Sequence, residues 1–203
     1  MGTGAANYEQ SYLVYGVPEP PVGMPHVSDV GKEVYSWGDA HGEWGPKSYT
    51  DGSGYASSVP ELRRCGSSVV QLDPGTWLPI RAKYGPLPYI VQTVGRAERY
   101  SVKLGLDANP NHEEFVSDLL SLVKEGLSWR PELACGRAKH ARAWRDIFGA
   151  TAARSARGPP IFRWTPAHRE LDSLIGEDAC ELQDFIGNSW ADYFAKLGAM
   201  SHA

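Results

Sequence analysis

Cysteine, methionine and phenylalanine are scarce in this chain: three, three and five among 203 residues. Cys65, Cys135 and Cys180 are odd in number and far apart, and no Cys-x-x-Cys pair suggests zinc. A disulfide-stapled secreted scaffold is therefore excluded, and reduced thiols in an intracellular protein, nuclear or cytoplasmic, are expected. No stretch approaches the roughly 20 apolar residues of a membrane span. The opening Met-Gly-Thr-Gly-Ala-Ala-Asn-Tyr has no basic segment leading into an apolar one, as a secretory leader would. Ala6 stands where a myristoylation signal carries Ser or Thr. A Gly-Lys-Ser/Thr phosphate loop is also missing, and Gly52-Ser53-Gly54 lacks the Gly-x-Ser-x-Gly spacing of a hydrolase elbow.

What is present is 42% hydrophobic residues, enough for one α/β domain with a core, plus some tail. The net charge of −4 is unevenly spread. Residues 129–163 carry eight Lys or Arg (Arg130, Arg137, Lys139, Arg142, Arg145, Arg154, Arg157, Arg163) against Glu132 and Asp146. Residues 1–45 and 164–203 are both acidic. A basic block inside an acidic protein can be a phosphate-binding surface or simply a solvated helix face.

Residues 1–45 are rich in Pro, Gly and isolated aromatics with no persistent period, and read as a poorly ordered extension. Residues 46–200 read as the folded domain. Strands are expected over Lys47–Tyr55, Cys65–Leu72, Tyr89–Val94, Phe115–Asp118 and Ile161–His168. Helices are expected over Arg96–Leu106, Leu119–Leu127, Arg137–Ala153 and Asn188–Ala199. Arg169–Gly187 reads as a long acidic loop. The expectation is a five-stranded mixed sheet flanked by helices.

Four acids stand where strand patterns end or helix patterns begin. Asp51 lies in Tyr-Thr-Asp-Gly-Ser-Gly, whose glycines leave the backbone open to close approach. Glu98 is four residues before Val102 and eight before Leu106, so it shares an apolar stripe and needs a partner. Asp118 ends Glu-Phe-Val-Ser-Asp, just before a helix pattern. Asp192 is four residues after Asn188 and so on the same helical face, with Trp190, Phe194 and Leu197 expected to form the core stripe opposite. Taken singly, each has an ordinary reading: a turn Asp, an Arg-paired Glu, a helix cap, a first-turn Asp.

Together, Tyr-Thr-Asp51-Gly-Ser, Gln92-Thr-Val-Gly-Arg-Ala-Glu98, Val-Ser-Asp118, Trp164-Thr-Pro-Ala-His168 and Asn188-Ser-Trp-Ala-Asp192 resemble the ribonuclease H domain, both the type 1 enzymes and the related retroelement domains. The resemblance covers roughly residues 46–200. It implies an RNase H-like fold and hydrolysis of the RNA strand of RNA/DNA hybrids to 5′-phosphate and 3′-OH ends. It further implies two Mg2+ ions, with Mn2+ as a substitute, held by Asp51, Glu98, Asp118 and Asp192, with His168 as a mobile proton carrier. Gly52, Ser53, Gln92 and Asn188 are then expected against the hybrid, and Arg142 and Arg145 against its DNA strand. Position 53 is Ser, where a proofreading exonuclease carries a second acid. The family also includes non-catalytic nucleic-acid-binding members, the alternative reading, and domains that are parts of larger polyproteins. No protein partner is legible.

Overall fold

The computed structural model describes residues 33–39, 42–55, 63–109, 114–136, 138–152, 158–167, 176 and 178–201. Six strands form one mixed sheet: β1 (Tyr35–Gly38), β2 (Lys47–Tyr55), β3 (Arg64–Leu72), β4 (Pro79–Pro86), β5 (Glu114–Ser117) and β6 (Ile161–Trp164), in the spatial order β1-β4-β3-β2-β5-β6. β1 to β4 pair antiparallel, and β2, β5 and β6 are parallel neighbours. The helices are α1 (Val94–Ala108), α2 (Leu120–Ser128), α3 (Ala141–Ala152) and α4 (Ala179–Met200), with a short 3-10 turn at Pro131–Ala134. Among the described residues no helix is long and apolar enough to cross a membrane.

Alternation along the central strands supplies two cores. On one face Val69, Phe115 and Phe162 meet Val102 and Leu106 of α1 and Trp144 and Ile147 of α3. On the other face Tyr49, Val70 and Val116 meet Ala191 and Phe194 of α4. A sheet covered on both sides in this way needs apolar residues at successive positions, and Val69 and Val70 are both fully buried.

Four details differ from the sequence reading. The sheet gains a sixth strand, β1, from the segment expected to be unstructured; Trp37 packs on Phe194, and Tyr35 stacks on Tyr84. The strand expected at Tyr89–Val94 is instead β4 at Pro79–Pro86. Its prolines sit at the strand ends, where a missing N–H is tolerated. Tyr89 to Thr93 form a loop, with Ile90 and Val91 exposed. The last helix begins at Ala179, not Asn188, so much of the expected acidic loop is helix. Asp178 is its N-cap and accepts from the Glu181 backbone N–H, and Glu181 is the acid of the first turn. Finally, the face α4 turns to the sheet carries Asp184, Gly187, Asn188, Ala191, Ala195 and Gly198, with Phe194 at its margin, while Trp190 and Leu197 are only partly buried.

Candidate metal centre

The register of β5 on β2 explains where the acids meet. Lys47, Ser48 and Tyr49 pair with Glu114, Phe115 and Val116, and β5 stops at Ser117. Continued by two residues, that register puts Asp118 beside Asp51. Beyond Ser117 no strand among the described residues covers that flank of β2, and Glu98 reaches in from α1. Gly52 makes the approach possible: a Cβ there would overlap the Glu98 backbone nitrogen and lie 2.6 Å from the Ala97 carbonyl carbon. β2 and α1 therefore touch backbone to backbone at this point.

Asp51, Glu98 and Asp118 each offer a carboxylate oxygen, and these oxygens lie within 4.8 Å of one another. Asp51 and Glu98 are buried, and Asp118 is partly exposed. Burial pushes the Asp51 carboxyl up to about 7, with the charges of Asp118 and Asp192 adding to the rise. Burial likewise holds Glu98 well above the usual carboxylate range, reinforced by Asp51 and Asp118. Such a cluster is electrostatically frustrated by itself, and a divalent cation relieves it. The donor set is all oxygen, which suits Mg2+ or Mn2+.

Neighbouring residues hold the cluster. The Ser117 hydroxyl donates to Glu98 Oε2 at 3.4 Å and accepts the Leu119 N–H at 3.1 Å. Asn188 Nδ2 donates to Asp118 Oδ2 at 3.2 Å, and its own Oδ1 is buried without a protein partner. An orphaned acceptor beside the carboxylates fits a water on a bound ion, because such a water needs acceptors for its protons. Asp192 stands near Asp51, close enough for its charge to be felt there, but outside the three-residue group. Its carboxylate takes Lys196 Nζ at 2.6 Å across one helical turn. That hydrogen bond raises the Lys196 ammonium, and the charges of Asp192 and Asp51 raise it further.

The remaining expected residues are placed as follows. Ser53 is half-buried on β2, two residues beyond Asp51. Gln92 is buried and pins its loop: Oε1 accepts the Cys65 N–H at 2.9 Å, while Nε2 donates to the carbonyls of Leu87 at 2.9 Å and Tyr89 at 2.5 Å. Both ends of its amide are thus engaged within the protein, and the residue also lines a surface pocket with Gly54, Tyr55 and Thr93. Asn188 faces Asp118 rather than opening a helix. Arg142 lies 5.0 Å over the Tyr89 ring, and Arg145 donates to the Ala134 carbonyl at 2.9 Å. His168 lies outside the described residues. Three contributors escaped the sequence reading. Lys196 was findable as an i+4 partner of Asp192. Ser117 adjoins Asp118. Trp164, whose indole donates to the Asp118 carbonyl at 2.9 Å, opens the motif Trp164-Thr-Pro-Ala-His168 but has no role of its own in the sequence reading.

No protein-family model and no curated protein sequence matches the chain. Solved structures do. The solution structure of the prototype foamy virus RNase H domain matches with a TM-score of 0.58 and 18% identity, over 80% of this chain and 98% of that one. The crystal structure of LC9-RNase H1, a type 1 RNase H with the type 2 active-site motif, matches at 0.53 and 16%, over 77% of this chain and 72% of that one. The prototype foamy virus protease–reverse transcriptase matches at 0.55 and 16%, over 80% of this chain, which spans 22% of that protein's length. The chain therefore has a ribonuclease H-like fold. Its acidic triad stands on β2, on α1 and just past the end of β5.

Proposed function

We propose that the chain is a metal-dependent endonuclease that hydrolyses the RNA strand of RNA/DNA hybrids, leaving 5′-phosphate and 3′-OH ends. The observation that carries this is the gathering of Asp51, Glu98 and Asp118 beyond the end of β5, on a fold of this kind. Two similar proteins, the foamy viral protease–reverse transcriptase and LC11-RNase H1, were each determined in complex with an RNA/DNA hybrid, which supports the choice of substrate.

Asp51, Glu98 and Asp118 would hold Mg2+ or Mn2+, with Asp192 completing a two-ion site. Paired ions of this kind supply an activated water and stabilise the leaving oxygen of a phosphodiester. Asn188 and Ser117 keep Asp118 and Glu98 in place. His168 would carry a proton to or from the scissile region. Gly52 and Ser53, at the open end of β2, would meet the minor groove, where the 2′-OH separates RNA from DNA. Arg142 and Arg145 would contact DNA-strand phosphates, making affinity fall with salt. The domain would act as part of a longer polypeptide or alone.

One observation favours a second reading, a nucleic-acid-binding domain with weak or no activity: the Lys196 ammonium already occupies Asp192. Cleavage of a labelled RNA/DNA hybrid in Mg2+, run beside duplex DNA and duplex RNA, separates the two. Hybrid-selective cleavage that Asp51→Asn abolishes supports the nuclease. Binding without cleavage, in Mg2+ and in Mn2+ alike, supports the second reading.

A further inference from the structure

Asp118 is the one member of the triad that no regular element holds. It stands one residue past β5, and the last backbone bond between β5 and β6 runs from the Thr165 N–H to the Ser117 carbonyl at 3.1 Å. The next carbonyl along, that of Asp118, is taken by a side chain: Trp164 Nε1 donates to it at 2.9 Å. Trp164 is 45% exposed, so burial of its surface is not its whole purpose. Mg2+ demands near-ideal octahedral geometry, so a ligand on a loose strand end would weaken the centre.

We propose that Trp164 is a positioning residue for Asp118, its indole N–H extending the β5–β6 pairing by one rung so that the Asp118 carboxylate is presented to metal from a fixed backbone. The proposal rests on the reading of the carboxylates as a metal centre. Two side chains then fix Asp118 from different elements: Trp164 of β6 grips its main chain, and Asn188 of α4 grips its carboxylate. The effect passes through ligand geometry, as with other residues that orient metal ligands without touching the ion.

The test is Mn2+ titration of the full chain, followed by electron paramagnetic resonance of the free ion, on wild type and four variants. Trp164→Phe keeps an aromatic ring and deletes the donor, and is expected to raise the Mn2+ dissociation constant about tenfold, the lower end for loss of a residue that orients a ligand. Trp164→His is the rescue variant. Its five-membered ring superimposes on that of indole with Nε2–H in the place of Nε1–H, so binding within about threefold of wild type is expected even without the second ring. Phe162→Leu loosens β6 from its buried side and is expected to lower Tm while leaving Mn2+ affinity unchanged. Asp118→Asn should lose most of the binding. Equal affinity in Trp164→Phe and wild type overturns the role of Trp164, as does equal weakening in the Phe and His variants, which would make the ring matter rather than the donor. Absence of Mn2+ binding in wild type overturns the metal centre itself, and the role of Trp164 with it.

Discussion

The two faces of the sheet are packed by opposite means. Under α1 and α3 the contact is made of volume: Val69, Val102, Phe115, Trp144, Ile147 and Phe162 interdigitate in one buried cluster. Under α4 a cluster around Phe194 is joined by a seam of small residues. Gly187 lies on the Tyr49 ring, and Gly198 lies on the Gly85 backbone. A Cβ on Gly66 would overlap the Ala199 nitrogen and the Ala195 carbonyl. The Ser68 hydroxyl donates to the Ala191 carbonyl at 2.6 Å. Large side chains provide burial, which stabilises roughly in proportion to area and tolerates small shifts. Small ones let main chains touch, which fixes position. α4 carries Asn188 and Asp192, so its distance from the sheet sets their distance from Asp51 and Asp118. On the other face Gly52 brings main chains together where α1 carries in Glu98, and Gly105 and Gly126 lie on the Phe115 and Phe162 rings.

Substitutions on the two faces should therefore fail differently. The largest effect on activity is expected at the small-residue seam. Gly66→Ala would push α4 off the sheet, and a displacement near 1 Å should reduce hybrid cleavage by about 10²-fold. Steady-state cleavage read beside circular dichroism checks this, and near-normal turnover would erase the contrast between faces. The matching change on the other side, Ile147→Ala, empties volume from the large-residue core and is expected to cost about 2–5 kcal/mol. Its cleavage rate at low temperature should stay close to wild type. Urea denaturation together with a cleavage assay measures both, and a rate that falls with little loss of stability would reverse the assignment.

A smaller effect concerns pH. An unfolded Asp titrates near 3.9, whereas burial, with the charges of Asp118 and Asp192, pushes the Asp51 carboxyl up to about 7 in the fold. The folded state thus keeps a proton that the unfolded chain has released. The linked stability is present below about 4 and is lost as pH rises through about 7. Glu98 is shifted in the same direction. Tm in chelator is expected to fall between pH 5 and pH 8, less steeply in Asp51→Asn and in excess Mg2+. A flat profile in wild type would mean that neither burial nor the neighbouring charges raise these carboxyls. The smallest effect is expected at Lys196, whose ammonium both holds Asp192 and opposes a cation near it. Lys196→Ala should lower the Mg2+ needed for half-maximal cleavage by about two- to fivefold, the scale of an exposed ion pair. A rise instead would make Lys196 a helper.

Much of the site was legible because its acids sit in local contexts that survive in sequence. A Gly follows Asp51, and Glu98 shares a stripe with Val102 and Leu106. Asp118 sits where a strand gives way to a helix, and Asp192 shares a helical face with Asn188. Less of the fold was legible, for reasons that differ by element. β1 has four residues and is held by rings on Tyr84 and Phe194, contacts made at long range that leave no periodicity. β4 is bracketed by prolines that read as loop, while the apolar run Tyr89-Ile-Val looked like strand and is a loop pinned by Gln92. The start of α4 was written in Asp178-Ala-Cys-Glu181, a capping pattern obscured by the density of acids around it. The hydrogen bonds by which Gln92 pins its loop are tertiary and left no trace in the motif that contains it.

The most direct measurement is anomalous scattering from crystals grown in Mn2+. The account predicts density for the ion bounded by Asp51, Glu98 and Asp118, with Asn188 Oδ1 within reach of a coordinated water. Well-ordered carboxylates with no anomalous peak among them, at Mn2+ concentrations that saturate any binding seen in solution, would contradict it.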